Sequence, residues 1–252
     1  MSQIPSLVEW LQAGAHFGHR TSRWHPKMKP YLFGERGGFH IMDTEQTMAK
    51  VQEAADAVRG IVARGGTVLF VGTKEQAKAI VASYAKRCHA PYVTERWLGG
   101  TITNFAQVRR SLKQLRKYKD QQEKGELRKY TKKEQLLITR EVEEMEKKLG
   151  GIAEMERTPD AIFVCDMRAD KTAVAEAKSS HIKIFAICDT NSDPTGVDYV
   201  IPANDDAAKT IELVCKVLCE AVEEGAVEAA QQKQVKKEEP LTIPSPSKEE
   251  AT

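Results

Sequence analysis

Five short apolar runs recur along the chain, at residues 67–72, 91–94, 161–166, 183–188 and 199–201. They lack strict apolar–polar alternation and read as parallel strands buried on both faces. Helical spacing fills most of the intervals between them. Residues 45–63 set Met48, Val51, Ala55, Val58 and Val62 three and four apart, and Asp43 with Gln46 offers a capping signal. Thr73-x-x-Gln76 opens a second helix running through Cys88, and residues 171–179 and 205–222 supply two more. Asn204 can cap the last of these, with Asp205 and Asp206 favourable near its positive end. Strands alternating with helices predict an α/β fold whose largely parallel sheet is covered on both faces.

Two segments depart from that alternation. Residues 104–150 are far longer than an ordinary connection and carry two narrow apolar stripes, Val108, Leu112, Leu115 and then Ile138, Val142, Met145, Leu149. Thr131-x-x-Glu134 is a capping box at the start of the second stripe, and Gly125 lies in the gap. The pattern predicts an antiparallel coiled-coil hairpin, each arm about 18 residues and roughly 27 Å long. Residues 226–252 are rich in Gln, Lys, Glu and Pro and are expected to form a disordered charged tail after a domain spanning 1–225.

Charge sharpens this picture. The formal net charge is only +2, yet residues 1–133 hold 24 Lys/Arg against 11 Asp/Glu, and residues 134–252 hold 14 against 25. Within 109–133 eleven cations (Arg109, Arg110, Lys113, Arg116, Lys117, Lys119, Lys124, Arg128, Lys129, Lys132, Lys133) face Asp120, Glu123 and Glu126 alone. A solvated coiled-coil face usually mixes signs to pair i with i+4. This one hardly does, which favours contact with phosphates over solvation. The second arm, with Glu141, Glu143, Glu144 and Glu146, is different and suits solvent or pairing with the first.

The stretch from His16 to Tyr31 interleaves cations, aromatics and turn formers. Arg20, Arg23, Lys27 and Lys29 can bind phosphate, with Arg36 just beyond; Trp24, His25 and Tyr31 can stack on splayed bases. Pro26 and Pro30 stiffen the segment. The alternative is an irregular loop whose aromatics cover a sheet edge. His16 and His19 have no adjacent Cys or carboxylate, so a structural role outweighs metal ligation. Arg96, before Trp97-Leu-Gly-Gly and next to the basic hairpin, is a further candidate phosphate ligand.

Other chemistry is less well founded. Phe70-Val-Gly-Thr-Lys-Glu75 turns from strand to helix but lacks the Gly-Lys-Ser/Thr of a phosphate loop, leaving Lys74 as a possible ligand to one phosphate. No Gly-x-Gly-x-x-Gly follows any strand, so no dinucleotide cofactor is expected. Asp166, Asp189, Asn191 and Asp193 lie after two strands, where carboxylates can hold Mg²⁺ for phosphoryl transfer; the same residues also make turns. Five cysteines without a CxxC pair read as reduced, buried thiols of a cytosolic protein, with neither disulfide nor zinc site. No apolar run is long enough to span a membrane, and residues 1–12 lack the early basic region of a targeting peptide.

Five segments then carry a family resemblance: Ala15-His-Phe-Gly-His19, Trp24-His-Pro-Lys-Met28, Phe70-Val-Gly-Thr-Lys74, Arg96-Trp-Leu-Gly-Gly-Thr-Ile-Thr-Asn104 and Ile201-Pro-Ala-Asn-Asp-Asp-Ala207. In this order they resemble the small-subunit ribosomal protein two family, of the bacterial and organellar type. The resemblance implies a flavodoxin-like five-stranded parallel sheet with a coiled-coil hairpin inserted after the second strand. It implies a non-enzymatic, cytoplasmic role on the ribosome, binding small-subunit rRNA where head and body meet. The implied neighbours are other small-subunit proteins, including ribosomal protein one, with no membrane, catalytic metal, cofactor or small-molecule substrate.

Overall fold

A computed structural model describes residues 4–238. Helix α1 (Leu7–Ala13) opens the chain with Ser6 and Glu9 forming a reciprocal cap. Strands β1 (Phe17–Arg20), β2 (Leu32–Arg36) and β3 (Phe39–Met42) follow, then α2 (Thr44–Ala63). The core then alternates: β4 (Val68–Val71), α3 (Glu75–Arg87), β5 (Tyr92–Val93). Helices α4 (Phe105–Glu123) and α5 (Lys132–Leu149) intervene before β6 (Ala161–Val164), α6 (Lys171–Ser179), β7 (Lys183–Cys188), β8 (Tyr199–Pro202) and α7 (Ala208–Glu238).

All five predicted strands pair in one parallel sheet ordered β5-β4-β6-β7-β8. Their continuous apolar character has a direct cause, because successive side chains point to opposite faces and both faces are covered. Val68, Phe70, Ala161, Phe163, Phe185 and Ile187 pack with α1, α2, α3 and α7 on one side. Leu69, Val71, Ile162, Val164, Ile184 and Ala186 pack on the other with α6 and with residues from α4 and α5. Phe70 meets Phe163 edge-on at 5.5 Å, and Phe185 stacks flat on Tyr199 at 4.5 Å.

The caps are partly as expected. Asp43 accepts from the backbone N–H groups of Glu45 and Gln46 and starts α2. Thr73 does not cap α3; that helix begins at Glu75, and the Thr73 hydroxyl donates to Asp170 at 2.8 Å. Val108, Leu112 and Leu115 of α4 and Val142 and Leu149 of α5 are buried in one cluster, with Ile138 and Met145 partly so. Thr131 and Glu134 form the predicted capping box, and Gly125 takes φ +68° in the turn.

Two segments differ from expectation. Residues 16–36, where no strand is predicted, include β1 and β2, which flank β3 in a three-stranded antiparallel sheet. The helix expected over 205–222 begins at Ala208, and Asn204 bonds the Asp206 N–H without capping that helix. The helix runs on to Glu238, overlapping the predicted tail over 226–238; residues 239–252 lie outside the described residues. Gly225 does not stop it. It sits where α7 crosses α2, and a Cβ there would lie 2.6 Å from the Arg59 carbonyl oxygen. Beyond that crossing Arg59 pairs with Glu228 at 3.8 Å, which extends the helical contact.

Candidate nucleic-acid interface

The N-terminal sheet stands against the carboxyl ends of β7 and β8. His19 N–H donates to the Thr190 hydroxyl at 2.9 Å, and His25 N–H to the Thr190 carbonyl at 2.7 Å. On this support Arg20, Arg23, Lys29 and Arg36 are exposed, and the Arg20 guanidinium lies 5.8 Å over the Phe39 ring. Three other predicted ligands make contacts within the protein. Lys27 Nζ reaches the Thr195 hydroxyl at 2.6 Å and Asp193 at 3.4 Å; His25 Nε2 is 4.0 Å from Asp193; Trp24 is half-buried, 5.0 Å from the His40 ring. Asp193 falls to about 2 because the Thr195 hydroxyl and N–H bond its charged form, with Lys27 adding to the effect. Lys27 and His25 thus tie the segment to the sheet end.

The second basic region is α4. With Val108, Leu112 and Leu115 buried, Arg109, Arg110, Lys113 and Lys117 fall on the exposed side. Lys129, Lys132 and Lys133, between α4 and the first turn of α5, are exposed as well. Two cations of α4 bind within the protein: Lys119 Nζ pairs with Glu146 of α5 at 2.6 Å, and Arg116 donates to the Ala153 carbonyl. Arg128 lies in the turn Glu126–Lys129.

Arg96 is exposed at the start of the segment that leads into α4. Next to it, Trp97 is 7% exposed, and its indole Nε1–H donates to Glu176 of α6 at 3.1 Å. Glu176 also accepts from the N–H groups of Gly100 (2.7 Å), Ile102 (3.0 Å) and Thr103 (3.3 Å). Burial raises its pKa, but these bonds outweigh that and hold it below the usual carboxylate value. Sequence reasoning passed over Glu176, since nothing local distinguishes it from any other helical glutamate.

Lys74 departs from its predicted role. Its Nζ lies 3.3 Å from Asp166, 2.7 Å from Asp205 and 2.6 Å from Asp206, so three carboxylates already surround the ammonium. Burial lowers the Lys74 pKa, but bonds to Asp205 and Asp206 carry it upward overall. Asp205 is pushed up to about 7 by burial and by Asp166 and Asp189, against the pull of Lys74. A phosphate at this point would meet net negative charge.

The same arrangement bears on the Mg²⁺ alternative. Asp166 accepts from the N–H groups of Arg168 and Ala169 at 2.7 and 3.0 Å, the geometry of a turn. Asp189 lies 3.1 Å from His19 Nδ1, while Asn191 accepts from the Ser192 hydroxyl. The His19 pKa is raised chiefly by its hydrogen bond to Asp189, with burial opposing. Among the described residues no group of three or more His, Cys, Asp or Glu side chains is placed to hold a metal ion. No described helix is long and apolar enough to cross a membrane.

Comparison with known proteins places the chain in a family. The family model described as Ribosomal protein S2 matches residues 10–225. The chain belongs to the ribosomal protein S2 family. It is 50% identical over 222 residues to the small ribosomal subunit protein uS2 of Chloroherpeton thalassium, covering 88% of each chain. The uS2 protein of Cytophaga hutchinsonii is 48% identical over 233 residues and 92% of each chain. That of Chlorobaculum tepidum is 47% identical over 216 residues, 86% of this chain and 87% of its own. The family match covers β1 through β8, both basic regions and the first part of α7.

Proposed function

We propose that this chain is a structural, non-enzymatic constituent of the small ribosomal subunit in the cytoplasm, supporting translation by binding small-subunit rRNA. Family membership carries the class of function. The exposed basic face of α4, opposite its buried stripe, is the observation that carries the mode. Exposed cations crowded on one helix face repel one another, and phosphates relieve that repulsion. We read α4 and α5 as an antiparallel coiled-coil hairpin of residues 104–150, inserted in a flavodoxin-like domain of residues 1–225. The shared apolar cluster and the Lys119–Glu146 pair support this reading. Residues 226–252 form a charged extension in the same reading.

The RNA ligands then fall into two groups. Arg20, Arg23, Lys29, Arg36, Arg96, Arg109, Arg110, Lys113, Lys117, Lys129, Lys132 and Lys133 present exposed charge. Lys27 and Arg116 are exposed but also hold contacts within the protein, and the partly buried His25 and Trp24 shape the surface beside them. A separate face suits protein neighbours, ribosomal protein one among them. There a groove of about 400 Å³ is lined by Leu7, Leu11, Phe33 and Ile41 and edged by Asp43 and Glu45. Phe33 is 80% exposed there, and acidic edges disfavour RNA.

Sedimentation with and without ribonuclease tests the proposal. Cosedimentation with the small subunit, lost when the RNA is digested, is the expected result. A free protein in the undigested sample overturns it.

A further inference from the structure

The five cysteines, all buried, are not scattered evenly. Cys88 follows the last residue of α3 and its Sγ lies 3.6 Å from the Ala85 carbonyl; Cys219 of α7 has its Sγ 3.3 Å from the carbonyl of Tyr84. The two sulfurs thus lie at the carbonyls of consecutive residues, Tyr84 and Ala85, where α3 packs on α7. Surrounding contacts fix this approach. The Tyr84 hydroxyl reaches Glu212 at 3.4 Å, Arg87 Nε pairs with Glu223 at 3.0 Å, and the Arg87 guanidinium lies 5.2 Å over the Tyr84 ring.

We propose that Cys88 and Cys219 are a modification site, a dithiol that hydrogen peroxide converts to a disulfide joining α3 to α7. The Cys88 thiolate attacks one peroxide oxygen, the O–O bond breaks, and Cys88 sulfenic acid and water form. The Cys219 sulfur then attacks the Cys88 sulfur, the S–O bond breaks, and the hydroxyl leaves as a second water with the thiol proton. Two thiols are oxidised and one peroxide is reduced to two waters.

The order of the two cysteines follows from their surroundings. Cys88 is 8% exposed and Cys219 is fully buried, so the oxidant meets Cys88 first. The neighbouring Cys219 and the N–H of Ala90 also lower the Cys88 pKa despite burial, while Cys219 is driven upward. A second neighbouring pair, Cys165 and Cys215, makes a built-in control. Both are fully buried beneath the sheet, and the hydrogen bond to Cys215 together with burial raises the Cys165 pKa well above normal. That pair has no access for an oxidant, and the raised pKa keeps Cys165 a thiol.

The full chain is treated with hydrogen peroxide, denatured, alkylated with iodoacetamide and digested for peptide mass mapping. The expected product is one cross-linked peptide pair holding Cys88 and Cys219, lighter by two hydrogens and restored by dithiothreitol. Cys165, Cys188 and Cys215 are recovered alkylated. The disulfide closes a loop of about 130 residues, so the urea midpoint of the oxidised protein rises and falls back on reduction. In Cys219→Ala the sulfenic acid has no partner, and dimedone labels Cys88. The proposal is overturned if all five cysteines are alkylated after peroxide, if the cross-link joins Cys165 to Cys215, or if Cys88 is recovered only as an uncross-linked sulfinic acid. The map of the unmutated protein decides the matter even if Cys219→Ala fails to fold.

Discussion

The carboxylate of Glu176 lies 3.1 Å from the indole nitrogen of Trp97, a residue 79 positions earlier in the chain. The same carboxylate gathers three backbone N–H groups of the Gly100–Thr103 turn. A segment without helix or strand has few ways to satisfy its buried N–H groups, and here one side chain of α6 does it. The root of α4 is thereby fastened to the core. Glu176→Ala leaves the indole and several amides unpaired, each costing about 1–3 kcal/mol and not additively, so a loss of roughly 3 kcal/mol or more is expected. Urea unfolding measures it, and an unchanged midpoint would show that water or rearrangement replaces the carboxylate.

The same group gives an acid dependence of known sign. Its folded pKa lies below the ordinary 4.5, so its stabilisation is complete above that value. The contribution disappears as pH falls through the lower, folded pKa. Unfolding midpoints of the native chain should therefore decline more steeply below about pH 4.5 than those of Glu176→Gln, which has no proton to take up. Parallel curves would mean that other carboxylates control acid unfolding.

What could be read in advance depended on where the partners lie. The five core strands were legible because both faces are buried and the sequence is apolar at every position of Val68–Val71 and Ala161–Val164. The α4 and α5 stripes were legible because each helix keeps its own period. The β1–β3 sheet was not, since Leu32–Arg36 exposes nearly every side chain and its anchor, Thr190, is 171 residues from His19. The surroundings of Lys74 were hidden for the same reason. Its position at a helix start is local, but the carboxylates of Asp166, Asp205 and Asp206 arrive from two other strand ends. The helix expected over 205–222 continues past Gly225, because close approach by α2 leaves no mark in the local sequence.

Asp170 provides a test in the opposite pH direction. Its side chain is 2% exposed, it accepts from Thr73, and burial pushes its pKa up to about 6, with Asp166 adding to the rise. A folded pKa above the unfolded 3.8 gives stability that is complete below that value and lost as pH rises through about 6. Asp170→Asn removes the cost of ionisation and keeps an acceptor for Thr73. The variant should match the native chain near pH 4 and exceed it at pH 8 by something on the order of 2–3 kcal/mol. Equal stability at pH 8 would contradict the burial argument.

Lys74→Met separates folding from RNA binding. It removes the ammonium that three carboxylates face, and breaking such a pair from one side costs about 3–5 kcal/mol when buried. The loss should be smaller at pH 6 than at pH 8, because Asp205, already near 7, takes up a proton when the lysine is gone. The salt dependence of rRNA binding should not change. A flatter salt dependence would return Lys74 to the phosphate ligands.

Reversal of the exposed α4 charges tests the interface itself. Arg109, Arg110 and Lys113 lie outside the buried Val108–Leu112–Leu115 stripe, so their replacement by Glu should leave the unfolding midpoint nearly unchanged. Binding to rRNA should weaken strongly and incorporation into the small subunit should fail. Each lost phosphate contact flattens a plot of log affinity against log salt by about 0.9 on the duplex rule, so three lost contacts flatten it by about 2–3. A variant that binds weakly with the native slope would have lost shape rather than charge. One that assembles normally would exclude the first arm of the hairpin from the RNA surface and leave the N-terminal sheet as the principal contact.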